Sequence, residues 1–518
     1  MAARLSQSGL RTLIVEAGPR IERDEVLRRF QVPMAPSPTS PYPFSPHAPC
    51  PDPGSKTDYY VQMGPDLFKS GYLRVAGGTT WHWQGTVPRF LPEDFTMRQT
   101  YGVGVDWPIR YEDLEPFYVE AEREIGVSGD SALDSGSPRS APYPMPGVRP
   151  TYLDSRLGAA VSPLGMKVSL LPQARTTQAY RGRVPCCGNA TCIPICPIQA
   201  KYDATVHLAQ AEKNGARLLP NSVVYRLELG PDGRITALRF KRPDRSEGRV
   251  TGKFFFLAAH AIETAKLLLI SKPPTAPAGI ANSSGLVGRH LMDHPIWLGW
   301  ALAKEPVFPF RAPLVTSGIE TYRTGTHRKR HSGFRIDINN DGWSWPVGGP
   351  ESTAAELIRQ GVRGRQLAHA IEDRTSRQFN LVALSEQLPD PENRVEPALD
   401  LPDALGIPRP RLHYRLDEYS RSGLQFARET MSRIFHALGC TEEFHTPEFR
   451  GGAHIAGTFR MGTDPKTSVV DPALRSHDHP NLYLLGSGVF PTIGTANPTL
   501  TLTALTLRAA SQFLKGPH

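Results

Sequence analysis

The two ends of this chain read as pieces of one domain, and that constrains the fold more than any other feature. Near the N-terminus, Ala2 to Gly9 reads as the end of an amphipathic helix. Arg11-Thr-Leu-Ile-Val-Glu-Ala-Gly18 then reads as a short, buried strand of the parallel type that stops at a turn. Glu16 closes the strand, where a dinucleotide-binding βαβ unit places the acid that accepts hydrogen bonds from the adenosine ribose. Near the C-terminus, Asn481-Leu-Tyr-Leu-Leu-Gly-Ser-Gly-Val-Phe-Pro491 gives a strand and a glycine turn, and Gly494-Thr-Ala-Asn-Pro-Thr499 opens an apolar helix. This far strand, turn and helix would complete the domain begun at Glu16, making it discontinuous. A chain of 518 residues exceeds what one core usually serves, so a second domain is expected between the two ends.

The Gly-rich turn that precedes such an acid by roughly twenty residues does not fall within the sequence. The reading frame is expected to start further upstream or to have been cut. Without the helix N-terminus that neutralises a pyrophosphate, the chain as written is expected to bind a dinucleotide poorly or not at all.

Tyr72 to Gly85 (YLRVAGGTTWHWQG) joins a glycine pair to two threonines and an aromatic-His-aromatic run, a composition suited to backbone passing close to a flat polar ligand. Arg217 to Phe255 alternates around the Gly230-Pro-Asp-Gly233 turn as a β-meander does. Phe254 to Ile270 runs from strand into helix. Between Pro306 and His445 the texture becomes proline-rich strands with helical stretches near Thr353–Arg363 and Arg421–Leu438, read as a second domain that roofs the ligand.

The net charge of +9 does not mark a nucleic-acid binder, because Asp and Glu interleave with the basic residues almost everywhere. The densest basic run, His327 to His331, reads as a solvated loop. No apolar stretch reaches the roughly 18–20 residues needed to span a bilayer, and the first twenty contain no signal-peptide core. Four of six cysteines (Cys186, Cys187, Cys192, Cys196) fall within eleven residues, which argues for a metal site rather than a scattered disulfide framework. The spacing is not that of a zinc ribbon, and the closing C-x₃-C-P resembles the end of a ferredoxin cluster loop. A structural zinc or paired disulfides remain the plainer alternatives. Adjacent Cβ atoms diverge, so only one of Cys186 and Cys187 is expected to be a ligand. Cys186, Cys192 and Cys196 then supply three thiolates, leaving Cys187 spare for a disulfide to another subunit.

Taken in order, the strand ending in Glu16, the GGTTWHW run, Val287-Gly-Arg-His-Leu-Met-Asp-His-Pro295, Gly452-Ala-His-Ile-Ala-Gly-Thr-Phe-Arg-Met-Gly462 and the C-terminal glycine turns resemble the glucose-methanol-choline oxidoreductase family. The resemblance implies an α/β (α+β overall) fold: a discontinuous Rossmann-like FAD-binding domain over 1–100, 206–300 and 450–518, an insert with the cysteine loop over 101–205, and a substrate-binding domain on an antiparallel sheet over 301–449. It implies hydride transfer from a carbinol carbon to flavin N5 of FAD, with His454 as the base that takes the hydroxyl proton and Asn497 holding the same oxygen. It places Glu16 at the ribose, Gly77, Gly78, Thr79, Thr80, Val224, Gly486, Ser487, Gly488 and Val489 on the cofactor side, His82 near the flavin, and Pro498 and Thr499 at the isoalloxazine edge.

The cysteine segment is similar to the insert of bacterial dehydrogenases in this family, most of all the catalytic subunits of FAD-dependent glucose dehydrogenases. The resemblance therefore implies a 3Fe-4S cluster that takes electrons from FAD to a multihaem cytochrome c subunit. It also implies a small signal-bearing subunit, and a place at the periplasmic face of the bacterial inner membrane reached only through those partners. The substrate it implies is a sugar or polyol, glucose C1 to gluconolactone first, with gluconate or sorbitol as alternatives. A flavin-free electron-transfer or scaffold chain is the competing class.

Overall fold

The computed structural model describes residues 1–32, 39–55, 58–133, 135–341 and 350–516. The N-terminal strand forms as Leu13–Val15 and pairs in parallel with Arg217–Leu219, Ile14 opposite Leu218. It is not buried as expected. Leu13 is 42% exposed, because among the described residues the strand has one neighbour and its other flank lines a cavity. Arg217–Leu219 thus leaves the meander, which consists of Val223–Leu229, Ile235–Lys241 and Glu247–Thr251.

A second parallel pair joins the middle of the chain to its end: Phe255–Leu257 against Leu482–Leu484, with Phe256 stacked on Tyr483 at 5.0 Å. Helix Ala261–Ile270 follows the first strand of this pair and helix Pro498–Lys515 the second. Pro498 stands in the first turn of that helix, where its missing N–H costs nothing. The helix packs on Tyr111–Ile125, with the Tyr118 hydroxyl 2.8 Å from Thr501 Oγ1. Segments from the two ends and the middle of the chain thus pair with one another, and they converge on one cavity.

The roof is an antiparallel sheet of seven strands, in the order Glu442–His445, Pro295–Leu302, Gln378–Ser385, Phe334–Asn339, Val315–Ile319 and Val168–Leu170, with Arg450–Gly451 pairing beside the start of Pro295–Leu302. Period-2 alternation gives the sheet two characters. In Phe334-Arg-Ile-Asp-Ile-Asn339 the apolar residues join a core with Ile434 and Phe435 of helix Glu418–Ala437 and with Leu157 of helix Tyr152–Val161. The other three residues point the opposite way, toward the cavity. The first anticipated helix appears as Pro350–Arg359 and the second as Glu418–Ala437, whose Asp417 cap accepts from Ser420 N at 2.8 Å. Gly364–Arg377 is a further helix.

The basic run His327–His331 is not simply a solvated loop. Its Arg328 is wholly buried and donates to Asp94 Oδ1 at 2.8 Å and to Glu386 Oε2 at 2.5 Å. Two carboxylates contributed by distant segments pull the guanidinium inward, and charge patterning along the chain cannot show that.

Candidate active site

One cavity of about 2380 Å³ lies between the parallel pairs and the roof sheet. That exceeds the roughly 300–1,000 Å³ of ordinary small-molecule sites, leaving room for a dinucleotide and a substrate together. Of the residues expected on the cofactor side, Glu16, Gly78, Thr79, Thr80, His82, Val224, Gly486, Ser487, Pro498 and Thr499 line it. Gly77, Gly488 and Val489 stand behind the wall, where the two glycines are required by packing. A Cβ on Gly488 would fall 2.1 Å from the Phe459 ring, and Gly77, at φ 98°, would press on Trp81 Nε1 at 2.8 Å.

The cavity fits FAD. Glu16 accepts from Gly18 N at 2.9 Å, and burial pushes its carboxyl above the usual range. Arg74 also lines the cavity, and its Nη1 is buried without a hydrogen-bond partner among the described residues. An unsatisfied buried cationic donor there suits a phosphate-bearing ligand.

His454 and Asn497 meet in the cavity wall as expected, with Asn497 Nδ2 3.1 Å from His454 Nε2. Two residues to which no motif gave a role decide how they present themselves. His294 is fully buried, with Nε2 3.0 Å from Gly494 O and Nδ1 3.0 Å from His454 Nδ1. A carbonyl can only accept, so His294 carries its proton on Nε2 and its Nδ1 must accept. His454 therefore carries its proton on Nδ1, and its Nε2 lone pair faces Asn497 and the cavity. Arg335 acts on the amide in the same way. It donates to Asn497 Oδ1 at 2.5 Å, which turns the Asn497 NH₂ toward His454.

Asp293 anchors the loop that carries His454. Its Oδ1 accepts from His294 N and from His454 N, each at 2.8 Å, and Ser70 bonds the other oxygen. Burial raises the Asp293 pKa to about 6 despite those donors. His454 is pushed well below the ordinary histidine value by burial first, then by His294 and Arg335. The adjacent Asp-His pair in Val287–Pro295 was the available signal for Asp293 and His294, whereas Arg335 had none.

The cysteine loop borders the same cavity, since Ala190, Thr191, Ile193 and Pro194 line it. Cys192 and Cys196 are buried, Cys186 is half-buried, and Cys187 is exposed. A guanidinium sits among the sulfurs: Arg175 Nη1 lies 3.0 Å from Cys192 Sγ, and its charge acts also on Cys186 and Cys196. Burial is the strongest single influence on Cys192 and opposes its ionisation, but Arg175, the Leu314 backbone and Lys201 together outweigh it and lower the thiol pKa. Among the described residues, no three His, Cys, Asp or Glu side chains gather closely enough to hold a metal ion. Among those residues, too, no helix is long and apolar enough to cross a membrane.

The GMC oxidoreductase family model matches residues 389–506. The chain is 40% identical to the fructose dehydrogenase large subunit of Gluconobacter japonicus, over 99% of this chain and 95% of that protein. It is 24% identical to the gluconate 2-dehydrogenase flavoprotein of Pantoea cypripedii, over 85% of this chain and 80% of that one. Among solved structures, pyridoxine 4-oxidase from Mesorbium loti superposes with a TM-score of 0.64 at 17% identity, covering all of this chain and 97% of that chain, a likeness of fold.

Proposed function

This chain belongs to the GMC oxidoreductase family, FAD-dependent enzymes acting on alcohol donors, and from that membership we propose that it is a dehydrogenase of a neutral sugar or polyol. The observation that carries the reading is the tautomer-locked His454 beside Asn497 in the wall of the large cavity. FAD, when bound, accepts the two electrons and the hydrogen of the carbinol carbon. The chain's own residues handle the proton. The Asn497 NH₂ donates to His454 Nε2 at 3.1 Å, and the substrate hydroxyl would come between them, its oxygen accepting from the Asn497 NH₂ and its proton passing to Nε2 as the C–H bond breaks. The Nδ1–H of His454 stays donated to His294, so the ring keeps its orientation as it gains charge.

Fructose is the first substrate to test and glucose the second, because the relative at 40% identity over nearly the full chain bears the name fructose dehydrogenase. Gluconate follows, from the relative at 24%. We further assign a 3Fe-4S cluster to Cys186, Cys192 and Cys196, with Cys187 outside it. What supports the assignment is charge rather than geometry, since no three such side chains gather among the described residues. Arg175 and Lys201 are both about 1% exposed beside these sulfurs, and two buried cations call for the negative charge that three thiolates bring. Because the loop borders the flavin cavity, such a cluster offers electrons a route out that does not need oxygen, hence a dehydrogenase rather than an oxidase.

The word "large subunit" in the first relative's name supports partner subunits. We propose a small signal-bearing subunit and a multihaem cytochrome c, at the periplasmic face of the inner membrane. The test is the purified holoenzyme with an artificial dye and a panel of fructose, glucose, sorbitol and gluconate, together with electron paramagnetic resonance. Dye reduction by a sugar with bound flavin supports the reading. Flavin-loaded protein inert to the whole panel overturns it.

A further inference from the structure

The cavity face of the roof sheet is divided. Ile296 and Leu298 on one strand and Val382 and Leu384 on its neighbour make an apolar half. On the next strand, Asp337 and Asn339 make a polar half, both lining the cavity and both buried. Buried polar groups need hydrogen-bond partners, and these two have capacity to spare. Asp337 takes two donors from one guanidinium, Arg335 Nε to Oδ1 at 2.8 Å and Nη2 to Oδ2 at 3.2 Å. A carboxylate accepts about four.

Asn339 is held in one orientation by a chain of hydrogen bonds. Asn380 Nδ2 donates to Gly299 O at 3.0 Å, so Asn380 Oδ1 turns to Asn339 and accepts from its Nδ2 at 2.7 Å. Asn339 Oδ1 is left as a buried acceptor with no partner among the described residues. On the adjoining strand Gly318 pairs opposite Asp337, where a Cβ would press on Ile336 O at 2.8 Å and only touch Asp337 Oδ1 at 3.5 Å.

We propose that Asp337 and Asn339 are the specificity-determining pair for this enzyme, two acceptors that read the non-reacting hydroxyls of a neutral sugar or polyol and reject sugar acids. The inference rests on the functional reading above and sharpens it. Residues two apart on a strand are about 6.7 Å apart, a span that hydroxyls on separate carbons of one sugar can bridge. Each hydroxyl brings the donor that these acceptors lack. A carboxylate brings none, and it would meet the Asp337 charge and the Asn339 oxygen head-on. The apolar half covers the C–H face of the substrate and keeps water from the reacting carbon.

The test uses the flavin-loaded enzyme with fructose, sorbitol and gluconate. Asn339→Leu should raise KM for fructose and sorbitol by about 10- to 100-fold, with bound flavin unchanged and kcat little altered, because only uniform binding is lost. Asp337→Asn keeps the shape and removes the charge, so kcat/KM for gluconate relative to fructose should rise at least about tenfold. That ratio is unaffected by a general loss of activity, and it stands if the leucine variant does not fold. An unmoved KM in Asn339→Leu, or an unmoved ratio in Asp337→Asn, overturns the acceptor pair while leaving the dehydrogenase reading intact. Wild-type enzyme that oxidises gluconate but no neutral sugar or polyol overturns both.

Discussion

The Nδ1 atoms of His294 and His454 lie 3.0 Å apart, and because the far nitrogen of His294 faces the Gly494 carbonyl, a backbone oxygen decides which nitrogen of His454 is free to act. The proton-accepting side proposed for His454 is thus set by an oxygen two hydrogen bonds away from its ring.

His294→Leu should release that constraint. Turnover is expected to fall by roughly 10²–10⁴-fold, the scale reached when a catalytic imidazole is left in the wrong tautomer, while bound flavin and KM for the sugar stay near normal. His454→Ala should lose at least as much, and Asn497→Ala less. Stopped-flow reduction of the flavin measures all three. A His294→Leu enzyme as fast as wild type would remove His294 from the argument.

The pH profile should show a base that stays neutral in acid. Since burial, His294 and Arg335 hold His454 well below the ordinary histidine value, flavin reduction should not fall off as pH drops through 6.5. Asn497→Asp would set a carboxylate beside Nε2, favour the imidazolium, and move the acid limb of the pH–rate curve upward.

Stability should move the other way in acid. Burial lowers His260 and His290 to about 4 and His294 to about 3. As pH falls below 6.5 the unfolded chain takes these protons first, so the folded state loses stability. Asp293, raised by burial to about 6, binds its proton in the folded state first and offsets one part of that loss. Unfolding free energies from urea titrations should drop between pH 7 and pH 5, by a net amount on the order of a few kcal/mol.

Arg328→Met should destabilise by about 3–5 kcal/mol, because Asp94 and Glu386 would be left buried and unpaired. Equilibrium unfolding in urea measures it. A loss below about 1 kcal/mol would mean that the two carboxylates are held by other donors.

The cysteines should not be equivalent. Changing Cys186, Cys192 or Cys196 to Ser should abolish the iron-sulfur resonance while substrate still bleaches the flavin. Cys187→Ser should spare the resonance and free the small subunit on a non-reducing gel. Four variants with an unchanged resonance would end the cluster assignment.

What the sequence made legible was local. The strand closed by Glu16, the glycine turns, and Asn497 beside the Pro498 that opens the last helix are each specified by a few neighbouring residues, and they form where expected, although the strand is more exposed than its sequence implies. The contacts that tune the site join residues far apart in the chain. His294 meets His454 across 160 positions, and Arg335 meets Asn497 across 162. Such pairs depend on the register of the roof sheet and on how its edge meets the cofactor domain, which no local pattern encodes. The burial of Arg328 has no local signature for the same reason, since its two carboxylates come from elsewhere in the chain.

One nitrogen, Arg335 Nη2, holds both Asn497 Oδ1 and Asp337 Oδ2. The amide proposed to hold the reacting oxygen and the carboxylate proposed to read the rest of the sugar are therefore wired to a single atom. Efforts to retarget this enzyme by directed evolution will meet epistasis at that point. Changes at 337 and 497 should combine non-additively in double-mutant cycles, and a broadened substrate range will carry a penalty in speed unless position 335 is redesigned with them.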